Sequence, residues 1–146
     1  MNLEVALVPY GNISYVLPSL IKYFQVSESW SNGRAKVDDI IKFLLTGQMM
    51  LWAVFDTEDK QIYGHYITEI KQYPQKKMLV VQYCSGEQGH MQFVEDKAFE
   101  LLDSFARDAE CSGIEFFGRP GWKPYAKKYG YTVRTVVYEK HFEVKK

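Results

Sequence analysis

Cysteine is scarce in this chain: Cys84 and Cys111 are the only two among 146 residues. No disulfide framework is implied, and both read as reduced thiols of a cytoplasmic protein. Histidine is no richer. His65, His90 and His141 stand alone, with no second His or Cys at ligand spacing, so no metal is expected. An excess charge of one sign is also missing, since 18 Lys+Arg balance 18 Asp+Glu. Without a basic excess nothing draws the chain toward phosphate backbones, and no nucleic-acid partner is expected. Apolar runs fall far short of the ~20 residues a membrane span needs. The opening Met1-to-Pro9 stretch has no basic region and too short an apolar run for a secretory signal, so no membrane partner is expected either. Repeats, low-complexity tracts and linker-like stretches are absent, which argues for one domain over residues 1–146. What the chain does have is apolar bulk: 47% hydrophobic residues and 16% aromatic, with 11 Tyr and 9 Phe. That is enough for a sizeable core, since a domain of this size buries roughly 70% of its unfolded surface.

Hydrophobic spacing orders the elements. Leu3 to Val8, closed by Pro9, reads as a strand. From Asn12 to Phe24 the residues Ile13, Val16, Leu17, Leu20, Ile21 and Phe24 recur at helical spacing. A second helix carries Val37, Ile40, Ile41, Leu44 and Leu45, with Asp38 and Asp39 in its positive first turn and Gly47 at its stop. Met50 to Phe55, Ile62 to Ile70 and Met78 to Cys84 read as three strands. Ser85-Gly86-Glu87-Gln88-Gly89-His90 is a glycine-bearing loop emptying into a long helix marked by Val94, Ala98, Leu101, Leu102, Phe105 and Ala109. Ile114 to Phe117 is another strand, Gly118-Arg119-Pro120-Gly121-Trp122 leads into a short helix ending at Gly130, and Tyr131 to Val144 reads as one or two final strands. The class is mixed α/β: an antiparallel meander followed by a βαβ crossover, six to seven strands and about four helices.

This order resembles the GNAT (Gcn5-related N-acetyltransferase) fold over essentially the whole chain. The strand, loop and helix from Met78 to Ala109 look like the family's acetyl-CoA segment. Lys127-Lys128-Tyr129-Gly130-Tyr131 resembles its last motif. Ser31-Asn32-Gly33-Arg34, Leu51-Trp52 and Gly118-Arg119-Pro120-Gly121-Trp122 are similar to small GNAT-like proteins of tailed bacteriophages and prophages. The resemblance implies acetyl-CoA as co-substrate and a small-molecule or protein amine as acceptor. Glycine-loop amides at a helix start suit a pyrophosphate, and the exposed edge of Val81, Gln82 and Tyr83 suits the peptide-like pantetheine arm. The cofactor-binding candidates are therefore Gln82, Tyr83, Gly86, Glu87, Gln88, Gly89, His90 and Arg119.

The chain also departs from the family pattern. Its loop glycines are three apart rather than two, no Arg is present there, and Glu87 is negative. Aligning on Gly130-Tyr131 puts Ala126 where the family has the Tyr that protonates the thiolate. Tyr125 is its neighbour and the catalytic candidate on that side, while Glu69 is the candidate general base. Each has a plainer reading beside it: Glu69 as a solvent-facing strand residue, Gly86 and Gly89 as turn glycines, Arg119 as the partner of an acid such as Glu115. Three functions stay open. One is an acetyl-CoA-dependent N-acyltransferase acting on a primary amine. Another is a GNAT-fold protein without chemistry, a virion component or a binder of a phage or host protein, placed in the host cytoplasm or the virion. The third is a binding module that keeps coenzyme A or another nucleotide as a ligand without turnover. Strand edges of this fold would also suit a homodimer.

Overall fold

The computed structural model describes residues 1–144. Five strands form one sheet: β1 (Leu3–Leu7), β2 (Met50–Asp56), β3 (Ile62–Gln72), β4 (Lys77–Gly86) and β5 (Gly113–Phe116), in that spatial order. Neighbours run antiparallel from β1 to β4, and β5 joins β4 in parallel. The parallel step requires a crossover, which α3 (Glu95–Asp108) supplies. The other helices are α1 (Ile13–Trp30), α2 (Val37–Leu45) and α4 (Lys123–Lys128).

Strand alternation splits the core in two. On one face Trp52, Val54, Tyr66, Leu79 and Val81 pack against Val94, Ala98, Leu102 and Ala106 of the α3 segment. On the other, Leu51 and Ile67 pack against Ile13, Leu20, Phe24, Ile40 and Leu44 of α1 and α2. The helix α1 runs six residues beyond the Phe24 at which its apolar spacing ends. Ser27 continues the buried face, and a polar residue there hid the continuation.

The sheet departs from the sequence reading at its end. Five strands, not six to seven, are formed among the described residues, and Tyr131 to Val144 is not in strand pairing. Tyr131 packs on Phe99 and Phe116, but Val133, Val136, Val137, Tyr138, Phe142 and Val144 stand exposed. Strand propensity reflects a half-buried surface, and these residues have none. Side chains hold the tail instead: Glu139 pairs with Arg34 and accepts from Asn32. The loop before α3 also differs. It does not open directly into the helix, because a single 3₁₀ turn, Met91–Phe93, intervenes.

That turn lays the Met91 side chain over a glycine pair, Gly64 on β3 opposite Gly86 on β4. A Cβ on Gly64 would sit 2.6 Å from Met91 Sδ and 2.9 Å from the Gly86 Cα and the Ser85 carbonyl oxygen. Overpacking of this kind destabilises by about 1–3 kcal/mol. Gly64→Ala is therefore expected to lower stability in urea unfolding by about that amount, with Met91→Ala restoring part of the loss. A Gly64→Ala variant as stable as the parent would contradict this packing.

Candidate functional site

Strands β4 and β5 stay together for only four pairs, ending at Val81 with Phe116. Strand β4 then continues to Gly86, paired with β3 on one side and with no strand on the other. Beyond Val81 its outer edge carries no strand, because β5 ends at Phe116. A register shift sits at the same level. Ile67 lies opposite Tyr83 and Thr68 opposite Val81, so Gln82 has no partner on β3. A bulge bends its strand and re-aims the side chain. The amide of Gln82 donates to Glu69 Oε1 at 3.3 Å, and the amide of Gln48 donates to Glu69 Oε2 at 3.0 Å.

Glu69 is half-buried on β3, two residues from Ile67 and so on the α1–α2 face. Tyr83 lies on that face too. Burial first, then the charges of Asp39 and Glu69, raise its phenol above the ordinary value. The Asp39 carboxylate accepts from the Lys36 N–H at 2.9 Å, so it caps α2 while its negative charge acts on Tyr83. Glu69, Gln82 and Tyr83 are thus brought together where β4 leaves β5. The arrangement offers a carboxylate to take a proton and an unpaired strand edge to hold an extended ligand.

The remaining candidates lie elsewhere. Tyr125 is on α4, stacked edge-on to Trp122, whose ring meets Phe116. Phe116 pairs with Val81, so this chain of rings belongs to the α3 face, opposite Glu69. Arg119 is not paired with Glu115, which accepts from Tyr73. Its guanidinium sits 4.0 Å from the centre of the Trp30 ring, joining the end of α1 to the loop after β5. In the glycine loop, Glu87 turns away to α1, accepting from Tyr23 Oη at 2.9 Å with Lys22 Nζ at 4.0 Å. Gly86 makes room for Met91, whereas Gly89 has φ +82° and open space around it, a turn requirement. Gln88 is exposed; its carbonyl oxygen is 3.2 Å from His90 Nδ1, and the His90 ring stacks on Tyr63. The helix that follows begins with Glu95 and Asp96 and no side-chain cap.

Beneath α1 lies a polar core that sequence reading did not single out. His65 is fully buried, its Nε2 3.0 Å from Ser85 Oγ, which donates to the Tyr23 carbonyl oxygen at 2.6 Å. Burial lowers its pKa from 6.5 to about 3, so the ring is neutral. Cys84 is likewise no nucleophile: burial pushes its thiol up to about 12, against the opposing pull of Arg119. Two shallow recesses, of about 310 and 450 Å³, flank α1 near Ile62, and β4 and β5 line neither. Among the described residues no group of His, Cys, Asp and Glu is placed to hold a metal, and no helix is long and apolar enough to cross a membrane.

No protein-family model and no curated protein matches the sequence. Solved structures do match in shape. Glucosamine-6-phosphate N-acetyltransferase from Arabidopsis thaliana superposes with TM-score 0.69 at 9% identity, over 98% of this chain and 100% of that one. The fold is GNAT-like. A GNAT family acetyltransferase of Staphylococcus aureus gives TM-score 0.67 at 12% identity, over 97% and 100% of the two chains. An aminoglycoside acetyltransferase from an uncultured soil metagenomic sample, solved with sisomicin, gives 0.69 at 12%, over 98% and 97%. At such identities the likeness extends to the GNAT-like fold alone.

Stability should report the buried imidazole. A histidine whose folded pKa lies below its unfolded one stabilises fully above about pH 6.5, and its contribution drains as the pH falls toward 3. The loss is at most about 1.4 kcal/mol per pH unit. Urea unfolding of His65→Leu is expected to show a weaker pH dependence than the parent between about pH 7 and pH 5. Equal slopes would contradict a neutral, buried His65.

Proposed function

We propose that this chain transfers an acetyl group from acetyl-CoA to a primary amine. The observation that carries the reading is the end of β4–β5 pairing at Val81 and Phe116, with Glu69 held by Gln48 and Gln82 beside it. An extended thioester arm would pair with the free edge of β4. The amine would attack the thioester carbonyl from the α1–α2 side with Glu69 taking its proton, and the C–S bond would break to release the coenzyme A thiolate, which takes a proton from solvent. The negative charge of Asp39 and Glu69 suits a cationic acceptor. Two of the structural neighbours are a glucosamine-6-phosphate N-acetyltransferase and an aminoglycoside acetyltransferase, both named for amine-bearing acceptors.

A second reading is a phage or host-binding protein in which the fold has lost its chemistry. It draws on the loop before α3, where Met91 fills the space at Gly86 and the helix starts on two acids.

Thermal shift separates the two. Acetyl-CoA at a hundredfold excess over its Kd is expected to stabilise the protein by about 2.7 kcal/mol. Glu69→Gln should keep that shift while lowering kcat/KM for the amine by about 10²–10⁴-fold. No shift at millimolar acetyl-CoA would overturn the acyltransferase reading, and a Glu69→Gln enzyme at the parental rate would remove Glu69 as the base.

A further inference from the structure

Exposed apolar side chains gather in the tail. Over residues 136–144 every second position reads Val136, Tyr138, Lys140, Phe142 and Val144. Four apolar residues out of five at period two is the pattern of a strand with one covered side. In the single chain nothing covers it: Val136, Tyr138, Phe142 and Val144 are 63%, 91%, 75% and 80% exposed. Apolar surface gathered in this way marks an interaction site.

The same chain carries an empty place for a strand. Among the described residues β5 has β4 on one side and no strand on the other, so its outer N–H and C=O groups are open to pairing. Within one copy the tail and this edge do not pair. The tail sets out beside the edge, since Tyr131 packs on Phe116 at the end of β5. Glu139 is then tied to Arg34 and Asn32 in the turn after α1.

A second copy supplies both missing parts at once. Each copy holds one strand-like segment and one open edge, and the two start side by side at Tyr131 and Phe116. A two-fold axis near that point lets each tail reach the other copy's edge, so both edges and both tails are satisfied. A partner offering only a strand, or only an edge, would leave the other half uncovered. The formal net charge of zero sets no net repulsion against self-association. Six large apolar tail side chains are exposed in each copy. At on the order of 100 Å² apiece, a pair of tails would bury about 1,200 Å², which reaches the range of stable interfaces.

We infer that this chain forms a two-fold dimer in which residues 136–144 of each copy pair with the outer edge of β5 of the other and turn their apolar side onto it. The inference does not rest on the acyl-transfer reading.

Sedimentation equilibrium at tens of micromolar protein, followed by amide hydrogen exchange on the same sample, tests it. The parent is expected to show twice the 17.1 kDa mass of one chain, with slowed exchange in residues 136–144 and in β5. Tyr138→Asp combined with Phe142→Asp should halve the mass and free the tail amides. Both side chains are exposed in the single copy, so the parental circular dichroism should persist. A monomeric parent would overturn the inference and leave the apolar side of the tail to a different protein. So would a dimer whose tail amides exchange freely, or a double variant that stays dimeric. The mass and tail exchange of the parent decide the matter even if the double variant does not fold.

Discussion

The brevity of the β4–β5 ladder governs the rest of this molecule. Parallel strands joined by a helical crossover can stay paired along their whole length, but here only Met78 to Val81 finds a partner on β5. Strand β4 nevertheless continues for five more residues, held on its other side by β3. Its backbone groups on that side are thereby not spent on a ladder. Strand edges of this kind are normally covered or blunted. An unpaired stretch beside the last strand of a mixed sheet carries N–H and C=O groups that an extended, amide-bearing ligand could use.

The residues around the end of the β4–β5 ladder are arranged on two faces of the sheet. The α1–α2 side is acidic and polar, with Glu69 fixed by two amides and Tyr83 beside Asp39. The α3 side is largely apolar, with the Tyr66 hydroxyl, Cys84, the hydrogen bond from Trp52 Nε1 to Thr68 Oγ1 and the acids that begin α3 as polar features. The bulge at Gln82 links them, since the same register shift that interrupts the β3–β4 ladder brings the Gln82 amide to Glu69. Loop glycines contribute differently. One accommodates Met91 and the other a positive φ, so the loop's shape is already accounted for by packing and turn geometry.

Much of the fold was legible because it is written in local periodicity. Helical spacing in α2 and α3 and the apolar strands β2 to β4 each declare themselves within a dozen residues. The tail from Tyr131 to Val144 has the same strand-like composition but no surface to pack on, and composition alone does not report burial. The site was legible in part. The candidates Glu69, Gln82 and Tyr83 lie on the adjacent strands β3 and β4, and the structure brings them together. Arg119 was placed near the end of β5 but given the wrong neighbour: Trp30, eighty-nine residues earlier in the chain, takes its guanidinium. Gln48 and the His65–Ser85 pair left no local signal, because each acquires its role from a cross-strand or interhelical contact. Tyr125 followed an alignment on Gly130-Tyr131, yet α4 turns it toward Trp122 on the opposite face from Glu69.

The central claim, that the unpaired stretch of β4 is a ligand-binding edge, is open to one direct measurement. Amide hydrogen exchange with and without acetyl-CoA should show slowed exchange in Gln82 to Gly86 and in Phe117 to Arg119, with β1 and β2 unchanged. Protection confined to the recesses around α1, or none anywhere at saturating acetyl-CoA, would contradict the account.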